Sequence, residues 1–158
     1  LDLLTLKKEF GELKSLRVGI CGDILHSRVA GSMMVAAKKL GFEVVLMGPE
    51  NLIPKNDFSY ENFDKSLSTL DAIMMLRIQH ERHDGIFMNQ TDYRQSFGLT
   101  VDRLTKLQKH TIIMHPGPFN RGVELDDEAI EHPQSRIWAQ MENGVYARMS
   151  ILEWAAEE

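Results

Sequence analysis

The sequence predicts an α/β protein, a three-layer αβα arrangement with a parallel, Rossmann-like sheet of four to five strands and helices on both faces. Three observations carry that expectation. Apolar runs of four or five residues, short enough to be buried strands, alternate with segments of helical period. Such alternation implies right-handed βαβ units, whose parallel strands are covered on both faces and so read as continuous apolar runs. The length, 158 residues, suits one domain or one part of a larger subunit, and suffices for a core without disulfide staples.

Each element has its own reason. Leu3, Leu6, Phe10 and Leu13 recur at helical spacing, and the pattern closes around Gly11 and Lys14. Neither a capping residue nor a start methionine precedes that helix, so the sequence reads as a cut piece of a longer protein. Arg17-Val-Gly-Ile-Cys21 is a short buried strand, turned by Gly22-Asp23. Ser27 caps a helix running to Leu40, with Val29, Met33, Ala36, Ala37 and Leu40 inward and Gly41 as its stop. Glu43–Met47 is a second strand, broken by Gly48-Pro49. A weaker helix around Glu61–Thr69 leads to a third strand, Ala72–Leu76. Thr100–Gln108 reads as a helix, Thr111–Met114 as the fourth strand, and Ser135 onward as helix interrupted at Asn143-Gly144. His83–Gly98 has no clear period. A stretch of that length is a functional lid or a disordered insertion, and composition does not choose between them.

Composition excludes several function classes. A net charge of −5 and a pI near 5.7 oppose broad electrostatic binding to nucleic acid or anionic lipid. The single cysteine, Cys21, allows no disulfide framework and no Cys-rich zinc site, and fits a reducing, cytoplasmic compartment. No apolar run approaches the ~20 residues of a membrane span, and no signal peptide opens the chain. Gly19-Ile-Cys-Gly22 lacks the third glycine of the dinucleotide fingerprint, and there is no G-x-S-x-G elbow. His80 and His83 have no third ligand at metal-binding spacing and read as solvated loop residues, not metal ligands. Cys21 lies in a buried strand and reads as inert packing, and the methionines follow apolar positions as core filler.

Ligands of open α/β sheets bind beyond the C-terminal ends of the strands, so the residues after each strand matter most. The first strand is followed by Gly22-Asp-Ile-Leu-His-Ser-Arg28, the third by Arg77-Ile-Gln-His-Glu-Arg82, and the fourth by His115-Pro-Gly-Pro-Phe-Asn-Arg121. Three strand ends thus deliver arginine in an acidic protein. The planar guanidinium fork grips carboxylate or phosphate through two bonds, and two forks suit a ligand with two carboxylates. The alternative is that Arg28, Arg77 and Arg82 form ion pairs with Asp23 and Glu81. Both can hold, because Glu81 can orient Arg77 while the fork serves a ligand.

These segments resemble one family. Gly22–Ala30, Met75–Arg82 and Met114–Glu124 are similar to the aspartate-binding half of the aspartate carbamoyltransferases, and Ser135–Met149 resembles that family's closing helices. The resemblance covers essentially the whole chain, 1–158. It implies transfer of the carbamoyl group of carbamoyl phosphate to the amine of L-aspartate, a step of pyrimidine synthesis, without metal or organic cofactor. By motif, Arg28 and Arg77 bind the aspartate carboxylates, Gln79 helps orient the substrate and Glu81 stands behind Arg77. Backbone groups of Pro116, Gly117 and Pro118 meet carbamoyl phosphate and the attacking amine. His83–Gly98 matches the family's mobile closing loop.

The family's S-T-R-T-R and H-P-T-Q segments, which hold the phosphate and the carbamoyl group, do not occur in this sequence. The resemblance assigns them to an N-terminal half, and implies a homotrimer in which a neighbour lends a serine and a lysine. The expectation is therefore half of an active site, inactive alone. Leu3, Leu4, Leu6 and Phe10 on the opening helix, with Ile151, Leu152 and Trp154 on the closing one, are expected to pack partly against the other half. Two other readings stay open: a non-catalytic dicarboxylate-binding module, and a transcarbamoylase with another amino acid as substrate.

Overall fold

A computed structural model describes residues 1–78 and 88–157. Five strands, β1 (Arg17–Cys21), β2 (Glu43–Met47), β3 (Ser59–Tyr60), β4 (Ala72–Met75) and β5 (Ile112–Met114), form one sheet in the order β3-β2-β1-β4-β5. Every pairing is parallel, with Val18 beside both Val44 and Ala72, and Ile20 beside Leu46 and Met74. Because strand side chains alternate, each strand feeds two cores. Val18, Ile20, Leu46, Met74 and Met114 face one core, covered by α1 (Asp2–Phe10) and α2 (Arg28–Leu40). Cys21, Met47, Ile73, Met75 and Ile113 face the other, beneath α3 (Phe63–Ser66), α5 (Val101–Leu104), α6 (Asp127–Ile130) and the first turn of α7 (Ile137–Ala156). That is the expected three-layer αβα architecture. Each buried Leu, Ile, Val or Met contributes about 1.5–3 kcal/mol, so the two apolar layers hold the sheet between them.

The expected boundaries hold where chemistry punctuates the chain. Ser27 Oγ accepts the Ala30 N–H at 3.1 Å to start α2, and Gly41 stops it in the left-handed region at φ 77°. Within α2, Leu40 turns out to be exposed, and Ala30 faces the core in its place. Strand β3 carried no apolar run, because both of its residues are exposed on an edge. The helix expected over Thr100–Gln108 is only the four-residue α5.

A helix, α4 (Gln90–Phe97), replaces the second half of the aperiodic stretch that began at His83; residues 83–87 lie outside the described residues. It starts where Asn89 Oδ1 accepts the Asp92 N–H at 2.9 Å, and Tyr93 is its one fully buried residue. A polar helix anchored only by Tyr93 and the partly buried Phe97 carries too short an apolar stripe to betray it.

The expected break at Asn143-Gly144 is absent, since α7 runs unbroken to Ala156. Asn143 is buried and bonded to α1, accepting from Lys8 Nζ at 2.6 Å and donating to Thr5 Oγ1 at 2.9 Å. Gln140 adds a bond to Asp2 at 2.8 Å. An asparagine that suggests a turn is here a polar clasp between two helices. The opening helix is also less open than expected: Leu6 is fully buried, and Leu3 and Phe10 pack against the same core. The closing helix keeps Ile151, Leu152 and Trp154 exposed. Among the described residues no helix is long and apolar enough to cross a membrane.

Arg103 ties α4 and α5 to α3. Its Nε and Nη2 donate to the two carboxylate oxygens of Asp64 at 3.0 and 2.8 Å, while Lys106 Nζ donates to Asp64 at 2.7 Å. The Arg103 guanidinium, aided by Lys106, holds the Asp64 carboxyl well below the usual carboxylate range. A carboxyl depressed by folding stabilises the fold fully above its unfolded pKa of about 4, and that contribution is lost as pH falls toward the folded value. Melting curves should therefore show Asp64→Asn less stable than the parent at neutral pH, with the gap closing as pH drops below about 4. A gap that stays constant with pH would contradict this coupling.

Candidate functional site

The strand order places a switch point between β1 and β4. From β1 the chain moves outward through β2 and β3, then returns to build β4 and β5 on the other side. Connections leaving β1 and β4 diverge there and open a crevice at the C-terminal edge. Gly22, at φ 132°, allows the two exits to run close together: a Cβ there would stand 2.7 Å from the Leu76 carbonyl oxygen. The resulting cleft holds about 230 Å³ and is lined by the segments after β1, β4 and β5. That volume suits a small metabolite better than a dinucleotide.

Five of the residues singled out from the sequence gather in this cleft: Arg28, Arg77, Pro116, Gly117 and Pro118. Arg28 opens α2 and is exposed, whereas Arg77, two residues past β4, is half-buried. Pro116, Gly117 and Pro118 turn the chain away from β5, with Gly117 at φ 67° and a cis peptide bond between Gly117 and Pro118. Gln79 and Glu81, together with Arg82, lie outside the described residues.

The arginine that follows β5 goes elsewhere. Arg121 donates to Asp127 at 2.6 Å and lies over the Phe119 ring, 5.7 Å from its centroid. The ion pair considered between Arg28 and Asp23 is not formed either. Buried Asp23 instead accepts from His26, through the backbone N–H at 3.2 Å and the ring Nδ1 at 2.8 Å. Among the described residues Arg28 makes no ion pair. The first turn of α2 lines the same cleft, and its free N–H groups and dipole add partial positive charge. Two guanidinium groups and a helix N-terminus thus meet in one small crevice, an arrangement that attracts carboxylate or phosphate.

Sequence reasoning did not single out what stands behind the turn. His115 accepts the Gly117 N–H from beneath it, and Glu124, which accepts the Asn120 backbone N–H, faces the His115 ring; the place of His115 beside Pro116 is the one local signal in the sequence. Cys21 is excluded as a nucleophile. Burial pushes its thiol far above the ordinary cysteine range, and its Sγ lies 3.8 Å from the Phe97 carbonyl. Among the described residues no three His, Cys, Asp or Glu side chains gather as a metal site would require.

Comparison with known proteins bears on this cleft. The family model described as "Aspartate/ornithine carbamoyltransferase, Asp/Orn binding domain" matches residues 14–155. The chain is 50% identical over 157 residues to the aspartate carbamoyltransferase catalytic subunit of Enterococcus faecalis, covering 97% of this chain and 51% of that protein. It is 48% identical over 158 residues to the corresponding Streptococcus suis subunit, again covering 97% of this chain and 51% of the relative. The chain therefore spans about half the length of the curated relatives it matches. Among solved structures, the catalytic subunit of M. jannaschii aspartate transcarbamoylase superimposes with a TM-score of 0.79 at 28% identity, covering 96% of this chain and 52% of that one. The Trypanosoma cruzi aspartate transcarbamoylase bound to phosphate gives a TM-score of 0.83 at 22% identity, covering 96% and 53%, a likeness of fold.

Proposed function

This chain belongs to the aspartate/ornithine carbamoyltransferase family, whose Asp/Orn-binding domain it carries, and we propose that it is the L-aspartate-binding half of an aspartate carbamoyltransferase. The observation that carries the reading is the convergence of Arg28 and Arg77 with Pro116, Gly117 and Pro118 on one cleft at the switch point. Each guanidinium takes one carboxylate of L-aspartate, with Gln79 helping to orient the substrate and Glu81 behind Arg77. The carbamoyl group of carbamoyl phosphate sits against the backbone of Pro116, Gly117 and Pro118. The uncharged α-amine attacks the carbamoyl carbon and the bond from that carbon to the phosphate oxygen breaks. N-Carbamoyl-L-aspartate and phosphate leave, and the proton given up by the amine departs with the phosphate. Holding both substrates in register and balancing charge is most of the catalytic task, so neither metal nor cofactor enters the scheme.

The groups that hold the leaving phosphate belong, in this reading, to the remaining half of a longer subunit. The exposed Trp138, Met141, Val145, Met149 and Leu152 of α7 support such docking, because an uncovered apolar stripe favours association. The full subunit forms a cytoplasmic homotrimer serving pyrimidine synthesis. The test is carbamoyl transfer by the full-length subunit, with L-aspartate and L-ornithine as competing acceptors. Product from aspartate, and none from the 158-residue chain alone, is expected. Preference for ornithine, or turnover by the chain alone, would overturn the reading.

A further inference from the structure

The turn after β5 is supported from below by a buried imidazole. The Gly117 N–H donates to His115 Nδ1 at 2.9 Å. A backbone N–H has no other role than donor, so Nδ1 is the acceptor and the ring proton resides on Nε2. Nε2 faces Glu124 Oε1 at 3.6 Å, and both side chains are fully shielded from solvent. That separation exceeds a hydrogen bond and leaves an electrostatic contact between an N–H dipole and a carboxylate. Glu124 is itself held, because its Oε1 accepts the Asn120 backbone N–H at 2.6 Å. The Asn120 amide in turn reaches the Ile78 carbonyl at 3.4 Å, in the segment that follows Arg77. The His115 backbone N–H donates to Gln140 at 2.8 Å, anchoring the turn to α7.

We propose that His115 is a positioning residue for the Pro116-Gly117-Pro118 turn, with buried Glu124 holding the ring in the tautomer whose Nδ1 can accept the Gly117 N–H. The inference rests on the reading above, in which this turn meets the reacting amine and the carbamoyl group. Gly117 has open space on the side where a Cβ would stand, with nothing within 4 Å of it, so no side-chain contact there holds the residue. The bond to Nδ1 is what fixes its N–H. Release of that bond lets the turn drift, and a shift of about 1 Å from the attack geometry costs on the order of 100-fold in rate. The carboxylates of aspartate remain on Arg28 and Arg77. The defect therefore belongs to kcat and not to the KM for aspartate.

Two isosteres separate the ring's two nitrogens. In His115→Asn the amide oxygen stands near Nδ1 and still accepts from Gly117, whereas in His115→Gln the terminal group reaches the Nε2 position and the acceptor is lost. In the full-length subunit, Asn should keep kcat within about threefold and Gln should lose roughly 10- to 100-fold, each with aspartate KM nearly unchanged. A purely structural role reverses this order, since Asn leaves the larger cavity and should melt lower. Equal kcat for the two variants, or the reverse order, overturns the proposal while wild-type turnover still upholds the functional reading. Nitrogen-15 NMR of the His115 ring in the 158-residue chain is independent of any activity. An unprotonated Nδ1 with a protonated Nε2 is expected, and the opposite tautomer or a doubly protonated ring at neutral pH overturns the inference whatever the chain catalyses.

Discussion

Arg103→Ala should lower the melting temperature by roughly 6–12 °C, the consequence of losing about 3 kcal/mol in a domain of this size. The side chain is only 10% exposed, so its hydrogen bonds are made away from water. Beyond its two bonds to Asp64, it donates to the carbonyls of Gly98 at 2.7 Å and Gln95 at 2.8 Å, which close the end of α4. Removal leaves the Gly98 carbonyl with the Thr100 N–H alone at 3.1 Å and takes the Arg103 donor from Gln95, and a hydrogen bond to a charged group contributes about 1.5–3 kcal/mol. The Asp64 carboxylate adds less, because its side chain is 40% exposed and water can replace the lost partner. That is why the lower end of the range for a broken buried pair applies. Arg103→Lys should recover only part of the loss, since one ammonium cannot span a carboxylate and a helix end. The control is Arg121→Ala, which removes an exposed pair with Asp127 and should cost about 0–1 kcal/mol. Equal melting temperatures for the two alanine variants would refute the clasp.

Arg103 also marks what the sequence could reveal. Nothing in its place within Thr100–Gln108 sets it apart, yet it is the buried link between three short helices. Strands β1 and β2 were legible to the residue, because a parallel strand covered on both faces must be apolar throughout. Helix α2 was legible because Ser27 and Gly41 punctuate it chemically. The two-residue β3, the polar α4 and the four-residue α6 bury too little of their own surface to impose a period. At the site, the arginines after β1 and β4 were visible as charge at strand ends. Which of them would converge depends on the order β3-β2-β1-β4-β5, and strand order leaves no local trace. Arg121 illustrates the point: it follows a strand as Arg77 does, but Asp127 lies six residues on and captures it.

Arg77→Ala in the full-length subunit should reduce kcat/KM for aspartate by about 10- to 150-fold, chiefly through KM. A charge-assisted bond contributes about 1.5–3 kcal/mol, and 1.36 kcal/mol is one decade. Arg28→Ala should fall toward the lower end of that span. Arg28 is exposed, so water screens its attraction, whereas half-buried Arg77 acts where the effective dielectric is lower. Carbamoyl phosphate affinity should change little in either variant, because both forks are aimed at the amino acid. Arg77→Lys should not rescue, since a point charge cannot grip two oxygens. The competing account, in which these arginines serve the fold as ion pairs, makes the opposite forecast: normal aspartate kinetics and a lower melting temperature. For Arg28 that account already lacks the Asp23 partner it needs, because Asp23 accepts from His26 instead. Arg77 is therefore the decisive position. Steady-state kinetics beside a melting curve on the same variants separate the two, and an Arg77→Ala subunit that binds aspartate normally would remove the basis for placing the carboxylates in this cleft.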